Sequence, residues 1–282
     1  MAANKDIIQK HEQMFYPTVR VRAKNAGGSG TVVYSKKHGK DVHTYVVTNH
    51  HVVSDCIKIV KKWHPVKKRK VDTEILDTVY VEYFRYNNYS HCIGSFAVEA
   101  DIVAYSEVEG GQDWCLLRVR DTENICDYVA NLFPLDDIDN VHIFDSVHAV
   151  GASLGHPPIA SEGIITYMDD EIDHYKYWMS SAQTIYGNSG GACYRYSATR
   201  KQYDWIGVPS RISVQPSGFS SDAITHMGYF IPIDRIYQLL EENNFQFIYD
   251  KKSSFKDCED ARKGKLKAEA KKDDKEADKG DE

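Results

Sequence analysis

The chain has 282 residues, 42% of them hydrophobic, and a formal charge of -6 at pH 7 with a sequence pI of about 6.1. That length and apolar content suit one large globular domain or two modest ones, and the acid excess gives no global reason to expect nucleic acid as a partner. No run approaches the ~20 apolar residues of a membrane span, and the charged start at Lys5, Asp6, Lys10 and Glu12 lacks the apolar core of a signal peptide.

These features predict a soluble protein, cytoplasmic or, in a eukaryotic host, nuclear, and not secreted or membrane-bound. Six cysteines, Cys56, Cys92, Cys115, Cys126, Cys193 and Cys258, occur without a C-x-x-C pair. Neither a zinc site nor a disulfide framework is signalled, which fits reduced thiols in the same compartment.

Residues 4–15 place Ile7, Ile8, His11, Met14 and Phe15 at helical spacing, so a lead-in helix is predicted over 1–15, ended by Tyr16-Pro17. Short apolar or alternating runs follow, among them Thr44-Tyr45-Val46-Val47-Thr48, Trp114-Cys115-Leu116-Leu117-Arg118-Val119 and Trp205-Ile206-Gly207-Val208. Many short strands with Gly, Asn, Asp and Pro between them predict an all-β sandwich or barrel. The stretch 16–250 has room for two small barrels, about 16–125 and 140–232, and the period of Ile233, Ile236, Leu239 and Leu240 predicts a closing helix over 233–243. From Lys251 to Glu282, 21 of 32 residues are Asp, Glu, Lys or Arg. Such a segment is expected to be a disordered or transiently helical tail, since it buries too little to offset chain entropy.

Three stretches carry chemistry. "IYGNSGGAC" (185–193) sets Ser189 among three glycines, which implies unusual dihedrals or a close approach of backbone to something else. "HTYVVTNHHVVSDC" offers His50 and His51, and "GGQDWCLLRV" puts Asp113 directly before an apolar strand. Serine needs a base within hydrogen-bond reach to act as a nucleophile, and the base needs a buried carboxylate to hold its tautomer and stabilise its cation. A glycine turn can then aim the N–H groups of Gly187 and Ser189 at one spot, where they would stabilise a developing oxyanion.

With these residues in hand, the chain resembles a trypsin-like serine protease of the chymotrypsin fold and is most similar within that group to the Deg/HtrA type. The matching segments are "GGSGTVV" (27–33), "TNHHVV" (48–53), "DWCLLRV" (113–119), "AVGASLGHPPIASEGIIT" (149–166), "YGNSGGA" (186–192), "WIGV" (205–208) and "MGYFIPIDRI" (227–236). They run in the family's order over roughly residues 17 to 240. The resemblance implies two six-stranded antiparallel barrels with a cleft between them, and an endopeptidase acting on protein or peptide substrates without a cofactor or metal. It puts the triad on His51, Asp113 and Ser189 and the oxyanion hole on Gly187, Asn188 and Ser189. The family pattern T-N-x-H-V selects His51 over His50, and the alternation of a strand end likewise lets only one of the two face the cleft.

The same resemblance places a substrate pocket at Gln183, Gly207, Val208, Pro209 and Tyr229. An uncharged base argues against an Arg or Lys preference, leaving a small, apolar or amide side chain at the position before the scissile bond. Pro209 lacks an N–H for pairing with substrate backbone. Asn188 stands where trypsin-like zymogens carry an aspartate and no I-V-G-G sequence occurs, so no N-terminal cleavage is expected. A charged tail follows where Deg/HtrA-type proteins usually continue into a PDZ domain. Twelve histidines do not make a zinc site, since His50-His51 lacks the helical i, i+4 spacing and an acidic partner.

The 61 residues between His51 and Asp113, numbers 52 to 112, exceed what the first barrel needs and include "KIVKKWHPVKKRKV" (58–71), with seven Lys or Arg in fourteen. This run reads as a solvated hairpin or insertion loop, as a nuclear-import signal, or as a phosphate-contacting patch, the one hint of a nucleic-acid partner. The alternatives to a cellular endopeptidase are a non-catalytic binding module on the same scaffold and a viral-type protease that cleaves its own polyprotein.

Overall fold

β-branched and aromatic residues at alternate positions, broken by Gly, Asn and Asp turns, form strands that curl into two barrels. The computed structural model describes residues 4–65, 68–106, 112–218 and 220–265. α1 (Lys5–Lys10), with Asn4 as its cap, continues into a π-turn (His11–Phe15) and leads to Pro17. The first barrel comprises β1 (Thr18–Arg22), β2 (Gly27–His38), β3 (Asp41–Thr48), β6 (Val79–Asn87), β7 (His91–Tyr105) and β8 (Cys115–Val119). They close in the order β1-β2-β3-β8-β7-β6. The second holds β9 (Ser146–Gly151), β10 (Ile159–Ile172), β11 (Tyr175–Ser180), β12 (Ala192–Ser197), β13 (Gln202–Ser217) and β14 (Ser220–Pro232), closed as β10-β11-β14-β13-β12-β9.

All pairings within the barrels are antiparallel. One apolar cluster fills the first barrel around Val19, Val46, Val81, Leu117 and Val119. A larger one runs from Met14 through the second barrel to α3 (Ile233–Glu242), with Trp114, Trp178 and Trp205 fully buried.

The basic run falls on a separate antiparallel pair, β4 (Ile57–His64) and β5 (Arg69–Leu76), inserted between α2 (His50–Val53) and β6. Of the readings open to this segment, the geometry is that of a hairpin. Lys58 pairs with Asp77, and the Tyr105 hydroxyl donates to Glu74, tying the hairpin's base to the barrel.

The tail from Lys251, expected to be disordered or transiently helical, takes the helical form near its start. Residues 255–265 form a helix, α4, started by Ser254, whose Oγ accepts from Asp257 N at 3.4 Å. Composition undercounts its anchoring because rings do the work. Phe255 lies 4.0 Å from the His38 ring and 4.9 Å from Phe247, and Arg262 sits 4.1 Å over Phe245. The part of the tail beyond 265 lies outside the described residues.

Candidate active site

Register brings the first two candidate residues together. Thr48, at the end of β3, pairs with Cys115, the first residue of β8. Asp113 therefore lies beside the turn that leaves β3. That turn is the short helix α2, not a strand end as expected, and a helical step of about 100° per residue points the adjacent imidazoles in different directions. His50 turns inward, stacked on Tyr105 at 5.6 Å, with its Nε2 buried and without a hydrogen-bond partner among the described residues. His51 remains half exposed. Its Nδ1 lies 2.9 Å from both carboxylate oxygens of Asp113, and its backbone N–H donates to Asp113 Oδ1 at 3.0 Å.

Asp113 is held on every side. Only 9% of it is exposed, its φ is 54°, and Asp is one of the few residues that tolerates that region. Asn49 Nδ2 donates to its carbonyl at 2.8 Å, and Ser210 donates its hydroxyl to Oδ2. Just upstream, Arg235 of α3 donates to the Gln112 carbonyl at 3.4 Å. Burial pushes the Asp113 carboxyl up, but the hydrogen bonds and charge of His51 and the Ser210 hydroxyl outweigh it and hold the group below the usual carboxylate range.

The second barrel delivers Ser189 to the same cleft. Ala192, at the start of β12, pairs with Val150 near the end of β9, so the turn 185–191 stands at the barrel's rim. β2 braces it from the first barrel: Ser29 N–H donates to Ser189 O at 2.8 Å, and Ser29 Oγ donates to Gly187 O at 2.6 Å. This contact explains Gly28, where a Cβ would lie 2.8 Å from Ser189 O and 2.7 Å from a Val52 methyl. Ser189 shares a cleft of about 250 Å³ with His51. Its Oγ donates to Ser210 O at 3.4 Å, and no hydrogen bond links it to the imidazole among the described residues.

The turn 185–191 leaves backbone N–H groups without acceptors among the described residues. Gly187 has φ 96°, and a Cβ there would fall 2.7 Å from Leu154 N. The carbonyl of Tyr186 is turned outward to accept from Leu154 N–H at 2.8 Å, so the trans peptide aims the Gly187 N–H the opposite way. Neither Gly187 N–H nor Ser189 N–H is taken by an acceptor among the described residues. Asn188 does not join them: its N–H donates to Ile185 O at 3.0 Å, and its Oδ1 accepts from Ser153 Oγ at 2.6 Å. It is a brace of the turn, which corrects its place in the expected hole.

The pocket differs more from expectation. Pro209 lines it together with Thr184, Ile185, Tyr186, Ser210, Arg211 and Ile212, but Gln183, Gly207, Val208 and Tyr229 do not. Strand alternation sends Val208 into the barrel core. Tyr229 packs against the same core between Met179 and Arg211. Thr184 is drawn inward by its N–H bond to Thr225 O at 2.8 Å, while Gln183 beside it is exposed. Ser29, Leu154, Ser210 and Arg235 carry no signal in the sequence, because each acts through contacts made only when distant strands close.

Comparison with known proteins matches this fold. The family of trypsin-like peptidase domains matches residues 28–200. The chain belongs to that family. Its fold resembles the serine endoprotease from Yersinia pestis, with a TM-score of 0.54 and 19% identity over 85% of this chain and 67% of that one. It resembles the apo MamO protease domain from Magnetospirillum magneticum similarly, at 0.53 and 19% over 81% and 97% of the two chains. A third likeness is the HtrA-type protease AlgW with a tripeptide, at 0.55 and 17%, covering 84% of this chain and 62% of that one. At such identities the likeness is one of fold. No curated protein sequence matches the chain. Two barrels and a trypsin-like family match make the expected fold a finding.

Proposed function

We propose that this trypsin-like peptidase is a serine endopeptidase in which Ser189 is the nucleophile, His51 the general base and acid, and Asp113 the residue that orients and stabilises His51. The observation that carries the reading is the double contact of Asp113 with His51 Nδ1 at 2.9 Å, in the cleft that Ser189 shares. Nδ1 facing a carboxylate fixes the tautomer with its proton there, leaving Nε2 to take the proton of Ser189. Ser189 Oγ first gives up its bond to Ser210 O, which at 3.4 Å is long and little is lost.

Attack on the scissile carbonyl forms the Oγ–C bond and moves the carbonyl electron pair to oxygen, where the N–H groups of Gly187 and Ser189 receive it. His51 returns its proton to the leaving amine as the C–N bond breaks. Water, deprotonated by His51, then hydrolyses the acyl-enzyme and restores Ser189.

The test is reaction with a fluorophosphonate probe, located by mass spectrometry, beside turnover of a mixed peptide library. Labelling confined to Ser189 and absent in His51→Ala supports the reading. Removing Ser189 is expected to lower turnover by up to ~10^6. A folded wild-type protein that neither labels nor cleaves sinks it in favour of a binding module.

A further inference from the structure

The pocket beside Ser189 has an uncharged floor: Thr184 is packed on Gly228, and Ile185 and Ile212 stand at its walls. Among the described residues that line it, Arg211 alone bears a permanent charge. Its side chain is 36% exposed, and its guanidinium lies 5.5 Å over the Tyr177 ring. Nη2 donates to Asp173 Oδ2 at 2.8 Å, and no other protein acceptor takes its remaining N–H groups among the described residues. A guanidinium has five donors in a planar fork, so most of this one's capacity is unspent.

The partner it has is a weak hold. Asp173 stands at the β10–β11 turn with more than half of its side chain in water, and exposed pairs of this kind are readily exchanged. Burial acts to lower the Arg211 pKa, but Tyr177, Asp173 and Asp113 outweigh it, so the group stays cationic. Arg211 lines the same cleft as His51, Ser189 and Ser210, so this charge stands within the site. A substrate lying in the cleft therefore meets a pocket lined by neutral side chains and, half-buried beside it, a cation with unspent donors.

We propose that Arg211 determines specificity: the cleft selects substrates with an acidic side chain on the acyl side of the scissile bond, held at the pocket rim and not at its floor. This rests on the endopeptidase reading above. A carboxylate set against the Arg211 fork gains charge-assisted hydrogen bonds that an amide of the same shape does not.

The experiment uses peptides with Glu, Gln or Lys placed in turn at each of four acyl-side positions. The Glu-to-Gln ratio of kcat/KM is read within each variant, so a general loss of activity cancels. At one position the wild type is expected to favour Glu by about tenfold. Arg211→Ala brings that ratio to about one, Arg211→Lys keeps part of it, and Arg211→Glu favours Lys. Asp173→Ala breaks the same ion pair from the other side and keeps or raises the preference, which separates the charge from any role of the pair in shaping the turn. A Ser189-labelled enzyme with equal Glu and Gln rates, or a ratio unchanged in Arg211→Ala, overturns this proposal alone. A wild type that neither labels nor cleaves overturns the endopeptidase reading and this one with it.

Discussion

The hydroxyl of Ser210, in the second barrel, donates across the barrel interface to Oδ2 of Asp113, at the edge of the first. It is one of the interactions that hold the Asp113 carboxyl below the usual range against the upward push of burial. A group whose folded pKa is depressed contributes stability that is present above its unfolded value and lost as pH falls through the folded one. Ser210→Ala is therefore expected to raise the folded pKa, so that acid unfolding begins at a higher pH, and to cost about 1–3 kcal/mol as a buried acceptor loses its donor. Chemical unfolding from pH 7 to pH 3 checks this. An acid midpoint shared by both proteins would show that the bond does not set the charge of Asp113.

Asp113→Asn isolates charge from backbone strain. Asparagine tolerates φ near 54° as aspartate does, so the variant should fold. Its amide can no longer hold the imidazole in the productive tautomer, and kcat should fall by ~10^4. Asp113→Leu, by contrast, combines the lost charge with a left-handed backbone that a bulky residue resists. Near wild-type kcat in Asp113→Asn would remove Asp113 from the proposed triad.

Much of this site is legible in the chain because its residues lie in short local motifs. Thr48 ends a strand and His50-His51 opens the short helix after it, Asp113 lies two residues before a strand, and Gly187 to Gly191 is a turn whichever barrel carries it. The pocket is less legible because it depends on which side of β13 each residue takes and on where β14 lies beside residue 184. Val208, placed in the pocket by the family resemblance, faces the core, whereas Arg211, beyond a break in the β13–β14 register, lines the cleft. α4 was hidden for a different reason. Its anchors are one phenylalanine and the cation of Arg262, and composition scores the latter as solvent-loving.

His50 and His51 should separate cleanly under mutation. Burial pulls the pKa of His50 down, and it outweighs the Asp113 charge, so the neutral ring is the folded form. The resulting stability is present above the unfolded value of about 6.5 and lost as pH drops below it. His38, His43 and His148 are shifted down with burial as the leading cause and add to the same loss. His50→Phe keeps the stack on Tyr105 and removes one titration. The expected outcome is near wild-type turnover, with a stability relative to wild type that is higher at pH 5 than at pH 7.5, whereas His51→Phe abolishes turnover. Thermal melts at the two pH values and one peptide assay decide it, and loss of activity in His50→Phe would reverse the assignment of the base.

Gly187→Ala tests whether the outward-turned Tyr186 carbonyl matters to chemistry. The added methyl would sit 2.7 Å from Leu154 N and 2.8 Å from Ala152 O, both backbone atoms, at a φ of 96° that alanine resists. Relief requires the 186–187 peptide to rotate, which breaks the bond from Leu154 N–H and swings the Gly187 N–H away from the oxyanion. The barrels do not depend on that peptide, so the fold should persist. Losing one oxyanion donor is expected to lower kcat by ~10^2–10^3 with little change in KM. If kcat instead holds while KM rises, the turn serves substrate binding and the oxyanion is stabilised elsewhere.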